Sequence, residues 1–129
     1  MTTQYLMQNK IMDRTVFKIK QISAIENTFH YSAEIDNAHP VFKGHFPDTP
    51  VVPGVCTMLM LKQCIADAIA CEVKYDYIKE CKFLSVITPL HHKLLDVHIT
   101  LKENEEGLHV VSEVIYEETK MLKLKAILK

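Results

Sequence analysis

Hydrophobic and polar positions alternate most cleanly late in the chain. Leu95, Val97, Ile99 and Leu101 interleave with Asp96, His98, Thr100 and Lys102, a period of two that marks a strand with one buried and one wetter face. Residues 108–117, LHVVSEVIYE, and 121–128, MLKLKAIL, continue in the same manner. Turns over Glu103 to Gly107 and Glu117 to Lys120 make the three segments an antiparallel meander. Earlier, Thr15 to Ile25 and Thr28 to Ile35 form a hairpin around Glu26 and Asn27, and Tyr77 to Ile87 resumes the sheet. The exception to this alternation is Val55 to Ala70, VCTMLMLKQCIADAIA. It is apolar on nearly every face and about four turns long, which outside a membrane predicts a buried helix. The predicted order is β-β-α-β-β-β-β behind a short helical or irregular N-terminal piece. One apolar helix and one sheet bury both their apolar surfaces at once if the sheet wraps the helix, so the expected class is α+β, with an antiparallel sheet around one long helix. No internal repeat or low-complexity segment interrupts the pattern.

Composition narrows this reading without redirecting it. The 129 residues, 48% hydrophobic and 24% charged, fit a single globular domain over 1–129. A formal net charge of −1 supplies no general attraction to nucleic acid or anionic lipid, so neither is an expected partner. The leading MTTQYLMQNKIMDR lacks the continuous apolar core of a signal peptide. No apolar stretch reaches the roughly 18 residues of a membrane span, so the expected location is the cytoplasm.

Cysteines 56, 64, 71 and 81 contain no C-x-x-C pair and have no histidine at ligand spacing, so neither a metal nor another cofactor is expected. Helical geometry puts Cys56, Cys64 and Cys71 within roughly an 80° stripe, as expected of small buried hydrophobes on one face. Cys56 differs in falling in the first helical turn, where a thiolate is stabilised, but its local motif supplies no base for a covalent role.

The chemistry concentrates just before the helix. Gly44-His45-Phe46-Pro47-Asp48-Thr49-Pro50-Val51-Val52-Pro53-Gly54 holds two of the three glycines and three of the five prolines. Prolines fix φ and glycines permit close backbone approach, so this is a rigid loop that presents His45 beside the N-terminus of the buried helix. Unpaired amides and the macrodipole at that end polarise a carbonyl or hold an anion. A histidine that only packs or caps the helix is the plainer alternative for His45. Asp48 reads as a residue stabilising the Pro47 to Pro50 bend, and His39 before Pro40 as a loop residue; both are near enough in sequence to reach the mouth of a pocket. His91 and His92, after Pro89, read as solvent-exposed rather than metal-bound. Met58 and Met60 read as flexible gap-fillers of the core.

GHFPDTPVVPGV, followed by an apolar helix with Gln63 nine residues after Gly54, resembles the signature of the hot-dog-fold β-hydroxyacyl-acyl-carrier-protein dehydratases of fatty-acid synthesis, H-F-P-x-x-P-x-x-P-G-V with an acid in the helix. Phe42 and Lys43 before the loop, and Lys82-Phe83 followed by Pro89 after the helix, extend the likeness. The resemblance implies a hot-dog fold, a homodimer or an oligomer of dimers, and an acyl substrate carried as a thioester on acyl carrier protein or coenzyme A. It also implies that His45 acts as the catalytic histidine and the Gly54 amide as the carbonyl-binding group, with Phe46, Pro53, Val55, Leu59 and Gln63 around the substrate.

One position departs from that family. Fourteen residues after His45, where the family has Glu or Asp contributed from the opposite subunit, stands Leu59, and neither Met58 nor Met60 substitutes. Dehydration of a 3-hydroxyacyl thioester needs a base for the α-proton, a polarised carbonyl, and an acid for the departing hydroxyl. His45 and Gly54 serve the first two needs, and Leu59 cannot serve the third. His45 can shuttle the proton itself, being near its pKa at neutral pH. Asp67 lies about 12 Å further along the helix axis, too far to replace Leu59 directly, while Gln63, one turn away, orients groups but donates no proton in the needed sense. The expected function is an atypical 3-hydroxyacyl-thioester dehydratase. The alternatives are a thioesterase, in which His45 or Asp48 activates water, and a non-catalytic or half-catalytic subunit of a heteromeric dehydratase, which lends His45 and Gly54 to a partner that brings the acid.

Overall fold

The structure, a computed structural model, describes residues 16–44 and 50–129. The expected N-terminal piece, and His45, Phe46 and Asp48 within the loop, lie outside the described residues. The elements are β1 (Phe17–Ile25), β2 (Thr28–Ile35), α1 (Val41–Gly44), α2 (Gly54–Ile69), β3 (Tyr75–Phe83), β4 (Leu94–Asn104), β5 (Gly107–Tyr116) and β6 (Thr119–Leu128). All six strands join one antiparallel sheet in the order β1-β2-β4-β5-β6-β3. The helix α2 therefore carries the chain from the β2 side of the sheet to its far edge, and the β4-β5-β6 meander fills the interval.

Tight turns set the hairpin registers. Glu26 and Glu117, each the first residue of a two-residue turn, have φ of 56° and 55°, the positive values such turns demand. Gly107 (φ 132°) follows the Glu105-Glu106 turn, and a Cβ there would stand 2.9 Å from the Leu128 carbonyl oxygen, so glycine is required. The expected strand at Tyr77 to Ile87 instead runs Tyr75–Phe83. After Phe83 the backbone leaves the ladder, and both Leu84 and Ser85 direct their amides to the Met121 carbonyl.

The inner face of the sheet follows the period-two pattern: Leu95, Val97, Ile99 and Leu101 of β4 are all buried, beside Tyr31, Ala33 and Ile35 of β2. Against them α2 sets Cys56, Thr57, Met60, Leu61, Cys64 and Ile65, whose spacing of one and then three defines a single helix face. Burial on nearly every face of the helix is not what the chain does by itself. Val55 is 49% exposed and Ile69 is also exposed, because the sheet covers only one side of α2. The cysteine stripe is also shorter than expected. Ala70 turns left-handed (φ 54°), the Cys71 amide bonds to Ala66 O and the Ala70 amide to Asp67 O, a Schellman closure. Cys71 consequently lies beyond the helix and is exposed.

A polar link fastens the C-terminal half of α2 to the sheet. Tyr31, wholly buried, donates its hydroxyl to Asp67 Oδ2 at 2.5 Å and accepts from Gln21 Nε2 at 3.3 Å. Burial, and then the Asp67 carboxylate, push the phenol well above its ordinary range. Ser112 has no such link. Its side chain lies on the inner face of β5 between register partners Ile99 and Leu124, and its hydroxyl has no hydrogen-bond partner among the described residues. Ser112→Ala is expected to raise stability by about 1 kcal/mol by removing that desolvated hydroxyl. The check is a higher urea midpoint with an unchanged m-value.

Candidate functional site

The N-terminus of α2 begins at Gly54, as expected from the loop. Its N-cap is Pro53 (φ −59°, ψ 140°), which offers no side-chain acceptor. The Cys56 amide turns back to Pro53 O at 2.9 Å, while the Gly54 and Val55 amides have no acceptor among the described residues. Such orphan donors at the positive end of a helix suit a carbonyl oxygen or an anion.

The sheet order brings β3 to the edge where α2 starts, and the Phe83 ring lies directly over Gly54. A Cβ on Gly54 would meet Phe83 Cζ at 2.8 Å, so the absence of a side chain at this position is what allows the contact. Between Val51–Gly54 and Thr57 on one side and Phe83–Ile87 on the other opens a cavity of about 430 Å³, within the size range of small-molecule sites. A 2.8 Å bond from the Val52 amide to Ile87 O holds its two walls together. Apart from Thr57 and Ser85, the lining side chains are apolar.

Among the residues expected around the substrate, Pro53 and Gly54 line this cavity. Val55 and the half-buried Leu59 do not, because helical rotation turns them off the face that meets Phe83. Gln63 borders a separate cavity of about 450 Å³ with Lys62, Ala66 and Lys74. Thr57 was not singled out from the sequence. Its signal was a polar residue at a buried-face position one turn after the glycine. Met60 is core, whereas Met58 is half-buried and its carbonyl accepts the Tyr75 hydroxyl at 2.8 Å.

The other titratable candidates have structural places. His39, 2% exposed, accepts the Val41 amide on Nδ1 at 3.0 Å and so opens α1; it does not line the Gly54 cavity. His91 is exposed as expected, but His92 is half-buried, with its ring edge-on to Tyr116 at 4.8 Å. His92 Nδ1 accepts the Thr88 amide at 3.0 Å, and burial, then the His91 charge, hold its pKa below the usual 6.5. A histidine whose folded pKa is depressed favours unfolding when it protonates. Its contribution is present above about pH 6.5 and is lost as the pH falls toward the lower folded value. Thermal melts in acidic buffer are expected to show this loss, and a His92→Gln variant a flatter profile over that window.

On the outer face of the sheet His30 stacks on His98, centroids 4.6 Å apart, with His30 Nε2 3.0 Å from Asp96 Oδ1. Among the described residues no three His, Cys, Asp or Glu side chains are grouped to hold a metal. Cys56 is buried, and that burial pushes its thiol up, away from the thiolate. Cys64 is pushed up to about 12, by burial first and then by Asp67.

With this geometry in view, residues 21–120 match the sequence pattern of the ApeI-like family, whose members are described as ApeI dehydratase. The chain belongs to the ApeI-like dehydratase family. The earlier resemblance to fatty-acid-synthesis dehydratases is thus supported at the level of a hot-dog dehydratase family. No curated protein matches the sequence significantly. Among solved structures, this ApeI-like chain is similar to the dehydratase heterocomplex ApeI:P from Xenorhabdus doucetiae, with TM-score 0.67 and 20% identity over 86% of this chain and 97% of that one. It is also similar to an uncharacterised Erwinia carotovora subsp. atroseptica protein, with TM-score 0.62 and 19% identity over 88% and 94% of the two chains. A phenylacetic acid degradation-related protein from Ralstonia eutropha JMP134, assigned by inference as a thioesterase, aligns with TM-score 0.59 and 15% identity over 85% and 81%. At these identities the likenesses establish the fold, which is the hot-dog fold. No helix of the described residues is long and apolar enough to cross a membrane.

Proposed function

We propose that this ApeI-like chain binds an acyl thioester, carried on acyl carrier protein or coenzyme A, and dehydrates a 3-hydroxyacyl group at the start of α2. The observation that carries the reading is an apolar cavity closed at one end by the uncapped Gly54 amide, in a chain of a dehydratase family. The thioester carbonyl accepts from Gly54 N–H, which stabilises the enolate that forms when the α-proton leaves. His45, nine residues upstream on the Pro-rich loop, takes that proton. The C–O bond at the 3-position then breaks, and the hydroxyl departs as water with a proton returned by His45. Because Leu59 replaces the acid, this last step is slow.

A second reading is favoured by Leu59 together with a solved relative that is a heterocomplex. In it, this chain lends His45 and Gly54 to a partner that brings the carboxylic acid. Either assembly uses the β3 edge, where Tyr77, Ile78, Phe83, Leu84 and Val86 are exposed together. A single chain leaves such an apolar edge open, and pairing with a second chain closes it.

The test is to supply the purified chain with 3-hydroxybutyryl-coenzyme A and follow both products. Slow appearance of the α,β-unsaturated thioester, by its ultraviolet absorbance, from a species that sediments as a dimer is the expected result. Release of free thiol without unsaturated product would make the chain a thioesterase. Dehydration that begins only when an acid-bearing hot-dog chain is added would select the second reading.

A further inference from the structure

We infer that Phe83 is a substrate-contacting residue, whose ring turns its electropositive edge to the thioester oxygen held on the Gly54 amide and keeps water from it; this rests on the thioester reading of the Gly54 cavity. The ring atoms nearest to where a Gly54 Cβ would stand are Cζ at 2.8 Å, Cε1 at 3.0 Å and Cε2 at 3.5 Å, so Phe83 meets the helix tip-first. Side-chain bonds on a helix tilt toward its N-terminus. A group in the place of that absent Cβ therefore lies beside the orphan amides at this end. An aromatic ring is negative on its faces and positive along its edge, and the edge is what Phe83 presents to Gly54.

Packing into the core does not account for this contact, because Phe83 is 53% exposed and stands outside the hydrophobic core. Backbone bonds place the ring instead. Phe83 is the register partner of Leu122, the Leu84 and Ser85 amides both reach Met121 O, and the Val52 amide ties Ile87 to the segment before α2. Gly54 supplies the remaining condition, since a Cβ there would push the ring away. A carbonyl oxygen that accepts from Gly54 N–H thus has the tip of Phe83 beside it. As that oxygen gains negative charge in the enolate, a fixed positive edge and a wall that displaces water both lower its energy. Phe83 transfers no proton; it acts on the charge that the amide holds.

The experiment pairs infrared spectroscopy of bound butyryl-coenzyme A, isotopically labelled at its carbonyl carbon, with turnover of 3-hydroxybutyryl-coenzyme A by the full chain in its native assembly. Bound to wild type, the carbonyl band is expected at lower frequency than in water. Phe83→Leu, apolar but without an aromatic edge, should displace the band less and lower kcat about tenfold with KM little changed. Gly54→Ala keeps the amide but displaces the ring, so it should cause the same loss. The double variant should lose no more than either single one, the non-additivity of two changes that remove one contact. Losses that multiply in the double variant, an effect on KM alone, or a Phe83→Leu protein with the wild-type band and kcat each overturn the assignment and leave the thioester site standing. A wild type that binds the ligand without shifting its band, or does not bind it, overturns the site and the assignment together. The band alone decides where turnover is too slow to read, and Phe83→Met replaces Phe83→Leu if the latter does not fold.

Discussion

Leu59→Glu is expected to raise dehydration of a 3-hydroxyacyl thioester by up to ~10²- to 10⁴-fold, the range that a positioned acid contributes. Leu59 occupies the place fourteen residues after His45 that holds an acid in the dehydratases the loop resembles. It is half-buried in the single chain beside Met58. A glutamate in such surroundings has its pKa raised, because burial disfavours the carboxylate, and a useful fraction stays protonated near neutral pH. The gain should therefore be largest at the acidic side of the profile and fall as the carboxyl ionises. A thioesterase would show no such gain, since hydrolysis needs an activated water rather than a proton on the leaving hydroxyl. If folded, dimeric Leu59→Glu shows no increase between about pH 6 and about pH 9, Leu59 does not stand where the acid would act.

His45→Ala should remove turnover, with a loss of at least ~10²-fold, and leave the assembly intact. His45 is asked to be both base and returning acid, so no second group in the proposed mechanism compensates for its loss. The residue lies outside the described part of the loop. Its assignment comes from the spacing to Gly54 and from the prolines that fix the segment between them. Sedimentation of the variant separates a chemical role from a structural one, and undiminished activity in a well-folded variant would remove His45 from the mechanism.

The sequence by itself determined the elements and the kind of fold. The alternation from Leu95 to Leu101 became β4, the apolar run after Gly54 became α2, and the Glu-rich pairs became tight turns, because each signal is local and one apolar face must be buried at a fixed period. The glycine that opens the helix was also legible, since a proline-glycine step before an apolar run leaves little else. Only the tertiary structure decided what meets that glycine. Phe83 over Gly54, Thr57 and Phe83 lining one cavity, and Tyr31 bonded to Asp67 join residues from separate elements, and they depend on the β1-β2-β4-β5-β6-β3 order. Periodicity specifies which face of a strand is apolar but not which strand lies beside it. For the same reason Cys71 and Val55, apolar by type, proved exposed: the left-handed turn at Ala70 ends the helix before one, and the sheet covers only the opposite side of the helix from the other.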